Sequence, residues 1–129
     1  MIEIKLSEKE MVKIKCVQNN IEYNENVMLY SAKDSYIEDE TKSELGYCLF
    51  EIKGDRSQIF KVNIISQDML FIADSVLRTT INFLLDHGIK LATYERSEYL
   101  SFLKRLGFIE QDGSFTLNIC EDIFKSCNN

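Results

Sequence analysis

The fold turns on residues 57–94, SQIFKVNIISQDMLFIADSVLRTTINFLLDHGIKLATY. Its first part, Ser57 to Ile65, is rich in aromatic and β-branched residues and predicts a strand. From Ala73 the period changes. Ala73, Val76, Leu77, Thr80, Ile81, Leu84 and Leu85 recur at i, i+3, i+4 spacing, while Asp74, Ser75, Arg78, Asn82 and Asp86 take the other face. His87 closes the last turn, where it complements the helix dipole, and Gly88 stands where helices commonly end in the left-handed region. The apolar pattern Met69, Leu70, Ile72, Ala73, Val76 also allows the helix to begin as early as Asp68. Ile89 to Tyr94 reads as a second strand. Strand, helix, strand in this order predicts a right-handed crossover and a parallel pair.

Upstream, Leu45 to Lys53 is a further strand, and Gly54-Asp55 between it and Ser57 signals a hairpin. Ile2 to Leu6, Met11 to Val17 and Val27 to Lys33 are shorter strand-like runs, and Asp34 to Glu44 is a charged, solvated loop. Downstream, Ser97 can cap a second helix whose stripe is Tyr99, Leu100, Leu103 and Leu106. Gly107 ends it and Phe108 folds back. Ser114 to Ile119 is a last strand, and Ile119, Cys120, Ile123, Phe124 and Cys127 fit one face of a short terminal helix. The predicted architecture is α+β (α/β/α layered), one domain over residues 1–129. It has a mixed, mostly antiparallel twisted sheet of about six or seven strands, with helices on both faces. The helix near 72–87 is expected on one face and that near 97–106 on the other. The strands at 59–65 and 90–94 should run parallel and splay at their carboxyl ends.

Composition excludes several classes. The chain has 129 residues and a net charge of −6, so it lacks the cationic balance that phosphate backbones require. Its longest apolar run, Met69 to Ala73, is far short of a membrane span. Met1 to Lys5 carries no signal-peptide core, which makes the cytoplasm the expected location. The four cysteines include no C-x-x-C pair and the only histidine is His87, so no metal site is expected. Cys48, among Tyr47, Leu49 and Phe50, and Cys120, beside Ile119, read as buried inert thiols.

From Val27 to Ile119 the element order resembles the GNAT (GCN5-related N-acetyltransferase) superfamily. The landmarks are the strand Ile59 to Ile65, the helix ending Asp86-His87-Gly88-Ile89, and Phe102-Leu103-Lys104-Arg105-Leu106-Gly107-Phe108, which is similar to the family's lYekLGF segment. The resemblance implies transfer of an acyl group from acetyl-CoA or another acyl-CoA to a small-molecule amine or a peptide amine. It also implies that pantetheine pairs with the backbone of Asn63, Ile64 and Ile65, and that the pyrophosphate lies over the amides of Ile72, Ala73, Asp74 and Ser75. The family's R/Q-x-x-G-x-G/A loop falls on Asp68 to Ala73. Ala73 fits, Phe71 replaces the first glycine, and Asp68 puts an anion where a cation is expected unless Gln67 takes that place. Leu103 stands where the usual tyrosine acid lies and Arg96 where an asparagine contacts CoA. Tyr99 or Tyr94 is then the implied acid, and Glu51 or Glu95 the implied base. Residues 7–26 are too short for the two helices that wall the acceptor site, so that site is open or completed by a second copy in a homodimer. Two readings follow: an N-acyltransferase with a degenerate CoA loop, or a GNAT-fold binding or regulatory module without catalysis.

Overall fold

The computed structural model describes residues 1–39, 43–96 and 98–119. In chain order it contains strand β1 (Ile2–Leu6), helix α1 (Lys9–Gln18), strands β2 (Val27–Asp34), β3 (Glu44–Lys53) and β4 (Arg56–Ile64), helix α2 (Leu70–Asp86), strand β5 (Leu91–Tyr94), helix α3 (Leu100–Leu106), and strands β6 (Ile109–Gln111) and β7 (Ser114–Asn118). The strands form one seven-stranded sheet in the order β1-β2-β3-β4-β5-β7-β6. Every neighbouring pair is antiparallel except β4 and β5, which are parallel as the crossover through α2 requires.

Two cores flank the sheet. The larger gathers Ile72, Val76, Leu77, Ile81 and Leu84 of α2 against Cys48, Phe50, Ile59, Val62, Ala92 and Tyr94. Thr80, fully buried in the same stripe, donates its hydroxyl to the Val76 carbonyl at 2.8 Å, so the polar group is satisfied. The smaller core places Val12 and Cys16 of α1 against Val27, Leu29, Tyr47 and Leu49 on the other face. Leu103 of α3 belongs to the larger cluster with Phe108 and Phe115. The two C-terminal helices therefore share one core instead of taking opposite faces, and α1 covers the face expected of α3.

Residues 11–17 form a helix, not the expected strand. Val12, Ile14 and Cys16 alternate with Lys13 and Lys15, which mimics a strand period, but the buried positions are Val12, Lys15 and Cys16. Lys15 is buried because its ammonium meets Glu44 at 2.9 Å and lies over the Tyr47 ring at 4.7 Å. Strand β6 was not anticipated. It pairs with β7 across Asp112-Gly113, both at positive φ, a turn pattern that favours tight hairpins. The stops of α2 and α3 match the sequence reading. His87 places Nδ1 2.8 Å from the Phe83 carbonyl, Gly88 has φ 72°, and Gly107 has φ 106° with the Phe108 amide returning to Leu103 O at 2.9 Å. The expected Ser97 cap and the terminal helix through Cys120 and Cys127 lie outside the described residues. Among the described residues no helix is long and apolar enough to cross a membrane, and no group of three metal-ligating side chains occurs.

Candidate active site

The site begins with a one-residue irregularity. Leu49 pairs with Lys61 but Phe50 pairs with Ile59, so Phe60 is an extra residue on β4. A bulge bends its strand and increases local twist. The parallel ladder to β5 stops at the same level, at Ile59 opposite Tyr94, and residues 60–64 run on with no β5 partner. The expected splay is therefore present, and its cause is the bulge at Phe60.

The molecule's own side chains span this V. Tyr94 is fully buried and donates its hydroxyl to Glu98 Oε2 at 3.2 Å. Glu98 Oε1 lies 3.2 Å from Lys61 Nζ on β4 and 3.3 Å from Arg96 NH1. Arg96 also donates Nε to the Phe60 carbonyl at 3.3 Å. Burial pushes the Tyr94 phenol far above its ordinary value and the Glu98 charge adds to this, while the Val62 backbone amide bonded to the same oxygen works against it. For Glu98, burial alone would raise the carboxyl. A backbone amide, Lys61 and Arg96 outweigh it and hold the group below the usual carboxylate range.

At the far end of β4 the chain does not form a loop open to an anion. Ser66 caps a 3₁₀ turn over Gln67–Met69, accepting from the Asp68 amide, and α2 follows from Leu70. The earlier of the possible helix starts is thus close to the one adopted. Ile72 and Ala73 are buried, and the helix's own i→i−4 ladder takes up the amides of Asp74 and Ser75. The Asp74 carboxylate holds Arg78 at 3.0 Å, and Phe71 is 54% exposed. The Ile65 amide bonds the Leu45 carbonyl at 2.9 Å, and Asn63 and Ile64 pair with Tyr47 and Gly46. Gly46 is required for close approach: a Cβ there would lie 2.5 Å from the Asn63 carbonyl oxygen and 2.9 Å from Ile72 Cγ2.

Leu103, in the place of the usual tyrosine, is fully buried. Tyr99, one turn earlier, is half-buried against Phe102, and burial followed by the Glu98 charge raises its phenol. Glu51 lies on β3 opposite Gln58, on the α1 side of the sheet, and is 6% exposed. It forms part of the wall between a groove of about 490 Å³, bordered by Asn20–Asn24 and Phe60, and one of about 230 Å³, bordered by Arg56, Leu91 and Thr93. The sequence candidates thus divide: Tyr94 and Tyr99 sit by Glu98 at the V, and Glu51 lines the opposite face. The Lys61–Glu98–Arg96 cluster was not foreseen, because Lys61 and Glu98 are 37 positions apart. Cys48 is a buried thiol pushed up to about 12 by burial, as its sequence setting suggested.

No family model matches the sequence, and no curated protein does. Solved structures match over almost the whole chain. The ribosomal-protein-S18-alanine N-acetyltransferase from Escherichia coli superposes with a TM-score of 0.72 at 13% identity, covering 92% of this chain and 94% of the other. A GNAT-family acetyltransferase from Staphylococcus aureus gives 0.64 at 12% identity over 92% and 99%. A Bacillus subtilis acetyltransferase in complex with CoA gives 0.64 at 14% identity over 92% and 99%. The seven-stranded mixed sheet, its one parallel pair and its crossover helix are thus the GNAT fold, carried by a divergent sequence.

Proposed function

We propose that this chain is an acyl-CoA-dependent N-acyltransferase with a reduced CoA site and an amine as acceptor. The observation that carries the reading is the β4 edge beyond Phe60, where residues 60–64 have no strand beside them on the β5 side. An extended pantetheine arm can add to such an edge as a peptide strand does. The Bacillus subtilis structure of the same fold holds CoA. Entry of the arm requires Arg96 to leave the Phe60 carbonyl. Phosphates would then meet the amino end of α2 near Phe71, Ile72 and Ala73. Binding there is weak, because Phe71 crowds the approach and Asp68 and Asp74 repel anions.

In the proposed reaction the amine nitrogen attacks the thioester carbonyl, a C–N bond forms and the C–S bond breaks. The nitrogen's proton leaves through water to Glu51, and the departing thiolate takes a proton from Tyr99. Tyr94, buried and bonded to Glu98, positions the V. A backbone amide of β4 near Asn63 or Ile64 serves the oxyanion. The second reading, a binding module without catalysis, draws on the burial of Leu103 and on the engagement of Tyr94 by Glu98, which leave Tyr99 as the acid by the V.

Calorimetric titration with acetyl-CoA and a thiol-release assay over a panel of amines test both. The expected result is binding weaker than low micromolar and slow turnover that falls about 10-fold or more in Tyr99→Phe, the lower range for loss of a proton transfer. Binding without turnover on any amine selects the module. Absence of binding removes acyl-CoA from both readings.

A further inference from the structure

We propose that the groove beside Glu51 is a seat for a primary ammonium group, which Lys53 fills in the free protein and an incoming slim alkylamine displaces. The inference deepens the acyltransferase reading by naming the acceptor class, and it rests on that reading only for what happens after the amine is bound.

The central observation is a buried carboxylate with incomplete partners. Glu51 is 6% exposed, and its Oε1 is sealed from solvent yet makes no aligned hydrogen bond. Oε2 accepts a single long bond, 3.3 Å from Asn24 Nδ2. A buried anion without donors is costly, so such a group draws in a cation or a strong donor. The cation present is Lys53 Nζ, 3.1 Å from Oε1. Lys53 stands two positions along the same strand face and its side chain is 78% exposed. Its contact with Glu51 is thus an ion pair of short distance and poor alignment, made by a chain that lies mostly in water. Such a pair is easily exchanged. A free ammonium, with three donors and no tether, can align on Oε1 where Lys53 does not.

The surroundings fit the rest of a slim amine. Tyr23 and Phe60 border the groove as apolar walls, and Glu22 adds a second negative charge at its rim. Phe60 also links this groove to the V. Its ring packs with the α1-side core, while its carbonyl faces Arg96 across the splay. An amine on Glu51 therefore approaches β4 at the bulge, the level at which the parallel ladder opens.

The test is an amide-shift NMR titration of the full chain with n-butylammonium chloride, without any CoA compound, with n-butanol and sodium butyrate as controls. Shifts are expected at Asn20–Asn24, Glu51, Gln58 and Phe60 with butylammonium alone. Glu51→Gln should weaken binding about 10-fold, the scale of a hydrogen bond to a charged group. Lys53→Met, on an exposed side chain, should tighten it about 3-fold by removing the competing ammonium. Equal shifts with butanol, shifts confined to other regions, or weaker binding in Lys53→Met would overturn the proposal. Because no thioester is present, failure here leaves the acetyl-CoA reading standing. Failure of acetyl-CoA to bind, with butylammonium seated, leaves this inference standing.

Discussion

The two sides of β4 around Phe60 are built in opposite ways. On the V side, Lys61 to Glu98, Arg96 to the Phe60 carbonyl and the Val62 amide to Tyr94 tie the free strand edge to β5 and the segment after it, and Glu98 links these through Tyr94 and Arg96. On the groove side, Glu51 has one long hydrogen bond and one exchangeable ion pair. The difference lies in what a ligand must displace. An arm entering the V has to break a connected network, in which each member supports the next. An amine entering the groove exchanges one ammonium for another. The V is thus the guarded side and the groove the open one.

The sharpest way to break this contrast is at the floor of the V. Gly46→Ala puts a methyl 2.5 Å from the Asn63 carbonyl oxygen, a backbone atom that cannot swing aside, and against Ile72. Overpacking of this kind costs about 1–3 kcal/mol, and the backbone clash places it at the upper end. Chemical denaturation should show the loss, and acetyl-CoA binding should fall with it while butylammonium binding at Glu51 persists. An unchanged midpoint would mean that β3 and β4 can separate here without penalty.

A smaller effect is expected at the tie itself. Tyr94→Phe keeps the ring in its buried place but removes the hydroxyl that joins the Val62 amide to Glu98. Loss of one satisfied buried group costs about 1–2 kcal/mol. Hydrogen exchange at Val62 should quicken relative to Cys48, its partner on the intact β3 side of the ladder. Equal protection at both amides in the variant would show that the hydroxyl does not hold the V closed.

These features differ in how far they could be read from the sequence. The α2 stripe, its stop at His87-Gly88 and the Gly54-Asp55 hairpin are local, and spacing and turn chemistry declare them. Helix α1 has a strand-like sequence because alternating lysines at 13 and 15 imitate a strand period, and only the tertiary partners Glu44 and Tyr47 explain a buried Lys15. Asp112-Gly113 is a local hairpin signal of the same kind as Gly54-Asp55. Glu51, Tyr94 and Tyr99 could be nominated from the family resemblance, but their separation onto two faces depends on strand parity. Glu51 stands opposite Gln58 and Tyr94 opposite Ile59, adjacent β4 positions that point to opposite faces, while the extra residue at Phe60 turns only the β4 residues beyond it, and no pattern in residues 56–64 announces that turn. The Lys61–Glu98 pair spans 37 positions and follows from the crossover, so composition could not find it.

The smallest effect expected is electrostatic, and its sign follows from Glu98. Its carboxyl sits below the ordinary glutamate value of about 4.3 because the backbone amide, Lys61 and Arg96 outweigh desolvation. A carboxylate depressed in the folded state binds fewer protons there than in the unfolded chain. Its stabilisation is therefore fully present above the unfolded value and is lost as pH falls through the folded one. The side chain is 37% exposed, so solvent and salt screen the pair and the gain is modest. Between pH 7 and 5 the V tie should be unaffected. Below about pH 4.3, the Glu98 side-chain carbon should titrate later than an ordinary glutamate would, and exchange at Val62 should quicken in step. Glu98→Gln should abolish that step and release Arg96 from its carboxylate partner. If the Val62 transition survives in Glu98→Gln, the acid opening of the V belongs to another group.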